Sequence, residues 1–226
     1  AGWQFAPVDY AKHRVEEGGG PTATWRATNK FSAQPLRLRI EALMAAGPYD
    51  APGNLTLTDF QSTEEFSQRA VQPGVTAELT TAVDPVQTGT VSGCYSAASN
   101  GPTPTAAWTM MEKPFAPPTN LSAHQALGVW IHGDGQGEIL NFQLRSPEHL
   151  VGSLADHYVL IDFTGWRYCE LIEPEGSRWS DYQWPYGNLY AIYRESIQHS
   201  QISSLGLWYT NLPQGKKVTC YLSPIK

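Results

Sequence analysis

Charge is scarce in this chain: 16% of its 226 residues are Asp, Glu, Lys or Arg. That composition excludes a polyelectrolyte and argues against disorder. The formal charge of −6 speaks against nucleic acid or an acidic membrane as partner, and mildly against a strongly sulfated or polyuronate ligand. No apolar run approaches the roughly 18 residues that a membrane span needs. No long stretch keeps a helical period. Cysteine is sparse and odd in number, with Cys94, Cys169 and Cys220. No CxxC pair or Cys/His cluster suggests zinc. One disulfide and a set of core thiols both stay open, since Cys169 and Cys220 sit inside strand-like alternation. The six histidines (His13, His124, His132, His149, His157, His199) are scattered without HxxxH or HExxH spacing. GxSxG, P-loop and Rossmann fingerprints are absent. Carboxylates such as Glu138, Asp162, Glu170, Glu173, Glu175 and Asp181 stand outside any signature, so no catalytic residue is assigned.

What the chain does have is strands and rings. Strand signals recur every ten to fifteen residues between Gly/Pro punctuation. Clear runs are Leu36–Leu43, Thr76–Thr81, Val91–Ala97, Ala106–Met111, Tyr158–Phe163, Arg167–Ile172, Leu189–Glu195 and Ile202–Tyr209. This is the pattern of an all-β chain, an antiparallel sandwich or jelly roll. Ser62–Phe66 reads as a short helical turn with a capping pattern. The densest turn signal is Gly47–Asn54, which would mark any internal boundary. Residues 1–56 then form an extension or complete the sandwich, and 57–226 form the main domain. The first residues do not read as a signal peptide, and the ends read as those of a mature protein or of a piece cut from a longer one. Asn54-Leu-Thr and Asn120-Leu-Ser fit the short glycosylation sequon.

The centre of the pattern is Ala126–Arg145, which reads as a β-hairpin around Gly133-Asp-Gly-Gln-Gly137. Leu127, Val129 and Ile131 alternate on one arm; Leu140, Phe142 and Leu144 alternate on the other. Asp134 reads as a turn residue. The pattern returns 78 positions later, pairing Gly128 with Gly206, Trp130 with Trp208, Gln136 with Gln214 and Gly137 with Gly215. Two equivalent hairpins, or coincidence between ordinary ones, would both give this.

Two surfaces suit a polar, ring-shaped ligand. Trp179, Tyr182, Trp184 and Tyr186 crowd into eight residues, interleaved with Arg178, Asp181, Gln183 and Asn188. Flat rings stack on the C–H face of a sugar, and planar polar groups reach its hydroxyls. The same rings would also suit a plug at the end of the sandwich. The second surface is the non-core side of the strands, with Asn141 and Gln143 on one arm and Thr219 and Tyr221 on the repeated arm. A solvated face gives the same alternation. Trp130 and Trp208 read as structural anchors.

Asp59-Phe60, Leu121-Ser122, Ala126–Gly137 and Ile161–Trp166 together resemble the galactose-binding-like β-sandwiches. Nearest in pattern are the family 11 carbohydrate-binding modules and the complex I intermediate-associated type domains. The resemblance covers residues 57–226. It implies a two-sheet jelly roll that binds sugar along a concave face or at a loop end, and many members hold a structural calcium. Asp59, Glu64 and Glu65 are the residues it suggests for that ion, although Val218–Pro224 lacks the acidic residue that related modules often supply. The function it implies is a non-catalytic carbohydrate-binding module, needing no cofactor for chemistry. Such a module would bind a polysaccharide as a monomer, attached to the catalytic domain of a secreted bacterial glycan-degrading protein. A jelly-roll lyase or hydrolase and a spacer without a sugar site are the competing readings.

Overall fold

The structure is a computed structural model; it describes residues 48–101, 107–124, 126–147, 154–171 and 197–226. The runs at Leu36–Leu43 and Leu189–Glu195 and the Trp179–Asn188 cluster lie outside the described residues.

Among the described residues ten strands are formed: β1 Ser67–Val71, β2 Val75–Ala82, β3 Ser92–Ser99, β4 Ala107–Thr119, β5 Leu127–Asp134, β6 Ile139–Arg145, β7 Leu154–Leu160, β8 Thr164–Leu171, β9 Ile202–Leu212 and β10 Lys217–Leu222. They make two five-stranded sheets, ordered β1-β4-β9-β6-β7 and β2-β3-β10-β5-β8. Every strand pair is antiparallel. This is the expected antiparallel β-sandwich of jelly-roll kind. A 3-10 turn, His199–Gln201, leads into β9. No helix among the described residues is long and apolar enough to cross a membrane.

The core lies where the inner faces meet. Leu140, Phe142 and Leu144 of β6 and Leu205, Leu207 and Tyr209 of β9 face Leu127, Val129 and Ile131 of β5 and Val218, Cys220 and Leu222 of β10. Tyr95 of β3 and Tyr209 stack across the gap with ring centroids 4.5 Å apart. Each hydroxyl donates to a carbonyl of the other sheet, Tyr95 to Leu207 and Tyr209 to Tyr95, both at 3.3 Å. Buried tyrosines need such partners, and here they pin one sheet on the other. All three cysteines are free; Cys220 is buried, and Cys94 and Cys169 are half-buried.

One expectation is corrected. Ala126–Arg145 is not a hairpin. The alternation is as read, but β5 pairs with β8 and β10 while β6 pairs with β7 and β9. The turn therefore carries the chain over the end of the sandwich as an arch. Gly135 and Gly137 take φ of 73° and 85°, where glycine alone is unstrained. The repeated stretch is also an arch, from β9 in one sheet to β10 in the other. The two arches lie side by side, β6 against β9 and β10 against β5. Ser62–Phe66 is a turn rather than a helix, with Glu64 N donating to Ser62 Oγ at 3.2 Å and Phe66 N to the Thr63 carbonyl at 3.0 Å.

Candidate functional site

Strand register places a grid of side chains on the outer face of the β1-β4-β9-β6-β7 sheet. One row across β4, β9, β6 and β7 is Glu112, Gly206, Gln143 and Asp156. The next is Met110, Trp208, Asn141 and Tyr158, and on the other side Pro114, Ser204, Arg145 and Leu154. Alternation forces this: Leu140, Phe142 and Leu144 take the core, so Asn141, Gln143 and Arg145 must point away.

These groups form one network. Asp156 Oδ1 accepts from Asn141 Nδ2 and Gln143 Nε2, both at 2.8 Å, and Tyr158 Oη donates to Asp156 Oδ2 at 3.2 Å. Gln143 Oε1 accepts from Arg145 Nε at 2.8 Å and from the Trp208 indole at 3.3 Å. Glu112 accepts from Ser204 Oγ at 2.7 Å, pairs with Arg69, and lies 3.8 Å from Arg145 Nε. Trp108 packs on Trp208 with centroids 5.5 Å apart. Burial, then the nearby Arg69 guanidinium, lower the Arg145 pKa, while Glu112 and Asp156 oppose the shift. Gly206 matters here. A Cβ built on it would lie 2.4 Å from Met110 Cε, so the bare backbone leaves room for the side chains on either side.

Asn141 and Gln143 are thus brought together as expected, but at 3% and 5% exposure their amides serve other protein groups. Asn141 Oδ1 also accepts from the His157 backbone N–H at 2.9 Å. They position the groups that are more open: Trp208, Trp108, Tyr158, Arg145 and Arg69. Glu112, Asp156, Arg69, Arg145, Tyr158 and Trp108 were not singled out from the sequence. The period-2 parity of β4 and β7 puts them on a common face, but only register aligns them in rows.

Thr219 and Tyr221 do not join this face, because β10 belongs to the other sheet. That sheet's outer face carries its own rings. Trp130 lies 5.4 Å from Tyr168, and His132 lies 5.3 Å from Trp166 and 5.7 Å from Tyr221. Asp59 turns back on its own loop, accepting from Gln61 N at 3.0 Å, and Glu64 is exposed. Glu65 pairs with Lys113. Among the described residues no group of three or more His, Cys, Asp or Glu is gathered as if for a metal ion.

No family model matches the sequence, and no curated protein matches it. Solved structures do match. One is the family 11 carbohydrate-binding module from Clostridium thermocellum in complex with a β-1,3-1,4-mixed-linked tetrasaccharide. It is 14% identical with a TM-score of 0.51, over 75% of this chain and 92% of that one. Another is the family 11 module of the cellulosomal cellulase Lic26A-Cel5E of the same organism, 13% identical with a TM-score of 0.52, over 77% of this chain and 94% of that one. The likeness is one of fold: this chain is built as those β-sandwiches are.

Proposed function

We propose that the protein is a carbohydrate-binding module whose glycan lies on the outer face of the β1-β4-β9-β6-β7 sheet. The observation that carries this is the Tyr158–Asp156–Gln143–Trp208 network. It holds an indole, a phenol and a guanidinium in fixed positions on one sheet face, the mixture of stacking area and directed polar groups that sugars need. Preorganised groups lose little entropy on binding. Glu112 and Asp156 are nearly buried and each accepts from several fixed donors, a setting that suits holding those donors in place better than proton donation to a leaving group. The reading is therefore a non-catalytic one. It is supported by the fold shared with modules of which one is described in complex with a mixed-linked tetrasaccharide.

Trp179, Tyr182, Trp184 and Tyr186, with Arg178, Asp181, Gln183 and Asn188, are proposed as a second set of ligand contacts. The polysaccharide would be largely uncharged, given the acidic chain, with neither nucleic acid nor membrane as partner. The module would work as a monomer in a secreted protein, tethering an attached catalytic domain to its substrate and raising the local concentration.

Affinity electrophoresis against a polysaccharide panel tests this with wild type beside Trp208→Ala, Trp130→Ala and Trp184→Ala. Retardation by a glucan should weaken in Trp208→Ala by about fivefold, the equivalent of about 1 kcal/mol for one stacked ring. Loss in Trp130→Ala with Trp208→Ala unchanged would move the site to the opposite sheet. No retardation on any glycan would end the module reading.

A further inference from the structure

The Gly-x-Trp repeat, with copies 78 positions apart, comes to lie on both outer faces of the sandwich. Gly206 and Trp208 stand in β9, on the face described above. Gly128 and Trp130 stand in β5 of the opposite sheet. Val129 and Ile131 take the core there, so Trp130 points outward.

The two copies are built alike. Each glycine makes room for a side chain of the adjacent strand. A Cβ on Gly206 would lie 2.4 Å from Met110 Cε, and one on Gly128 would lie 2.8 Å from Tyr168 Oη. Each tryptophan also meets a ring of the adjacent strand, at nearly the same geometry. Trp208 lies 5.5 Å from Trp108 with the planes at 50°, and Trp130 lies 5.4 Å from Tyr168 with the planes at 48°. All four rings keep part of their surface open.

Register widens the second face. One row across β2, β3, β10, β5 and β8 is Thr80, Cys94, Tyr221, His132 and Trp166. Trp130 and Tyr168 pair in the row beside it. His132 meets Trp166 edge to face at 5.3 Å and Tyr221 at 5.7 Å. The imidazole thus braces two rings that stand two strands apart, about 10 Å, a span close to the length of a disaccharide. These side chains include no carboxylate, lysine or arginine, and no Leu, Ile, Val or Met. The core of a protein interface is more apolar than this, and an ionic partner would be met by charge. Rings with polar tips suit the flat C–H faces and hydroxyls of an uncharged sugar.

We propose that the outer face of the β2-β3-β10-β5-β8 sheet binds a second glycan, so that one module bridges two chains of an uncharged β-linked polysaccharide. Trp130, Tyr168 and Trp166 supply stacking area, and Tyr221 and His132 supply hydrogen bonds to hydroxyls. This rests on the glycan reading of the first face and adds a separate site to it. The two faces point away from each other across the core, so a single straight chain does not cover both.

The test titrates the whole nitrogen-labelled chain with a mixed-linked β-glucan tetrasaccharide and follows the indole N–H signals by NMR. Signals of Trp130 and Trp166 should shift as well as those of Trp108 and Trp208. In Trp108→Ala/Trp208→Ala the first face should weaken by about 25-fold, the loss expected for two stacked rings, while Trp130 and Trp166 still respond. The polymeric glucan should be precipitated by wild type near equivalence, but bound without precipitation by Trp130→Ala/Trp166→Ala. Should a double variant fail to fold, the wild-type shifts decide. Shifts confined to Trp108 and Trp208 would overturn the second face and leave the first standing. Shifts confined to Trp130 and Trp166 would leave a single site on the opposite sheet and overturn the bridging. No shift at any of the four would overturn both readings. Self-association seen by sedimentation, and abolished in Trp130→Ala/Trp166→Ala, would show that a second copy fills this face in place of glycan.

Discussion

His157 is a buried histidine that resists taking up a second proton. It faces the core between Phe142 and Val159, is 5% exposed, and its Nδ1 lies 2.9 Å from the Phe142 carbonyl. Burial lowers its pKa below the usual 6.5; His199 adds to that, while the Phe142 bond and Asp156 pull the other way. The unfolded chain therefore takes up a proton near pH 6.5 that the folded chain refuses. Stability from this residue is full above that pH and falls as pH drops towards the lower folded pKa. Urea midpoints measured from pH 7.5 to 5 should show the loss, and His157→Gln should flatten it. From the sequence, His157 was one of six scattered histidines. Its parity in β7 places it on the core side, but its neighbours come from strands that only the fold assembles.

At the scale of the element, the arch explains both what was read and what was misread. The alternation of Leu127, Val129 and Ile131, then of Leu140, Phe142 and Leu144, marked the core faces without error. A glycine-rich turn between alternating strands usually folds the chain back on itself, so the sequence alone points to a hairpin here. The deciding contact is remote. A Cβ at Gly133 would lie 2.4 Å from the Phe163 carbonyl oxygen and 2.8 Å from Ile161 Cγ2. Gly137 N and Ile161 exchange places in the ladder, with Gly137 N donating to the Ile161 carbonyl at 3.0 Å and Ile161 N to the Glu138 carbonyl at 2.8 Å. The residues after β7 thus hold the arch open. Gly133→Ala meets backbone rather than a flexible tip, so it should destabilise by about 1–3 kcal/mol. Chemical denaturation checks this, and a neutral result would mean the close approach is not maintained in solution.

Over the whole molecule, the last residues bind parts far apart in sequence. Leu57 N donates to the Ile225 carbonyl and Ile225 N to the Thr58 carbonyl, while Gly128 and Lys226 exchange two backbone bonds. Tyr49 Oη donates to the Pro224 carbonyl at 2.6 Å, and Lys226 pairs with Asp50 at 2.7 Å. Ile225 itself is fully buried within the core cluster. Ile225→Ala should cost about 2–4 kcal/mol, lowering Tm by roughly 5–15 °C for a chain of this size. A shift confined to a degree or two in calorimetry would show that this closing segment is not part of the cooperative unit.

Composition and period determined the class of fold and the parity of each strand, because burial of one face is a local pattern that each strand carries alone. They also showed that Asn141 and Gln143 point away from the core. What they could not supply was the sheet to which each strand belongs, since β5 and β6 read alike whether they pair with each other or with strands farther along the chain, such as β10 and β9. Rows such as Glu112–Gly206–Gln143–Asp156 are sums over several strands. They exist only once register and sheet order are set, and those follow from long-range packing that no single segment encodes.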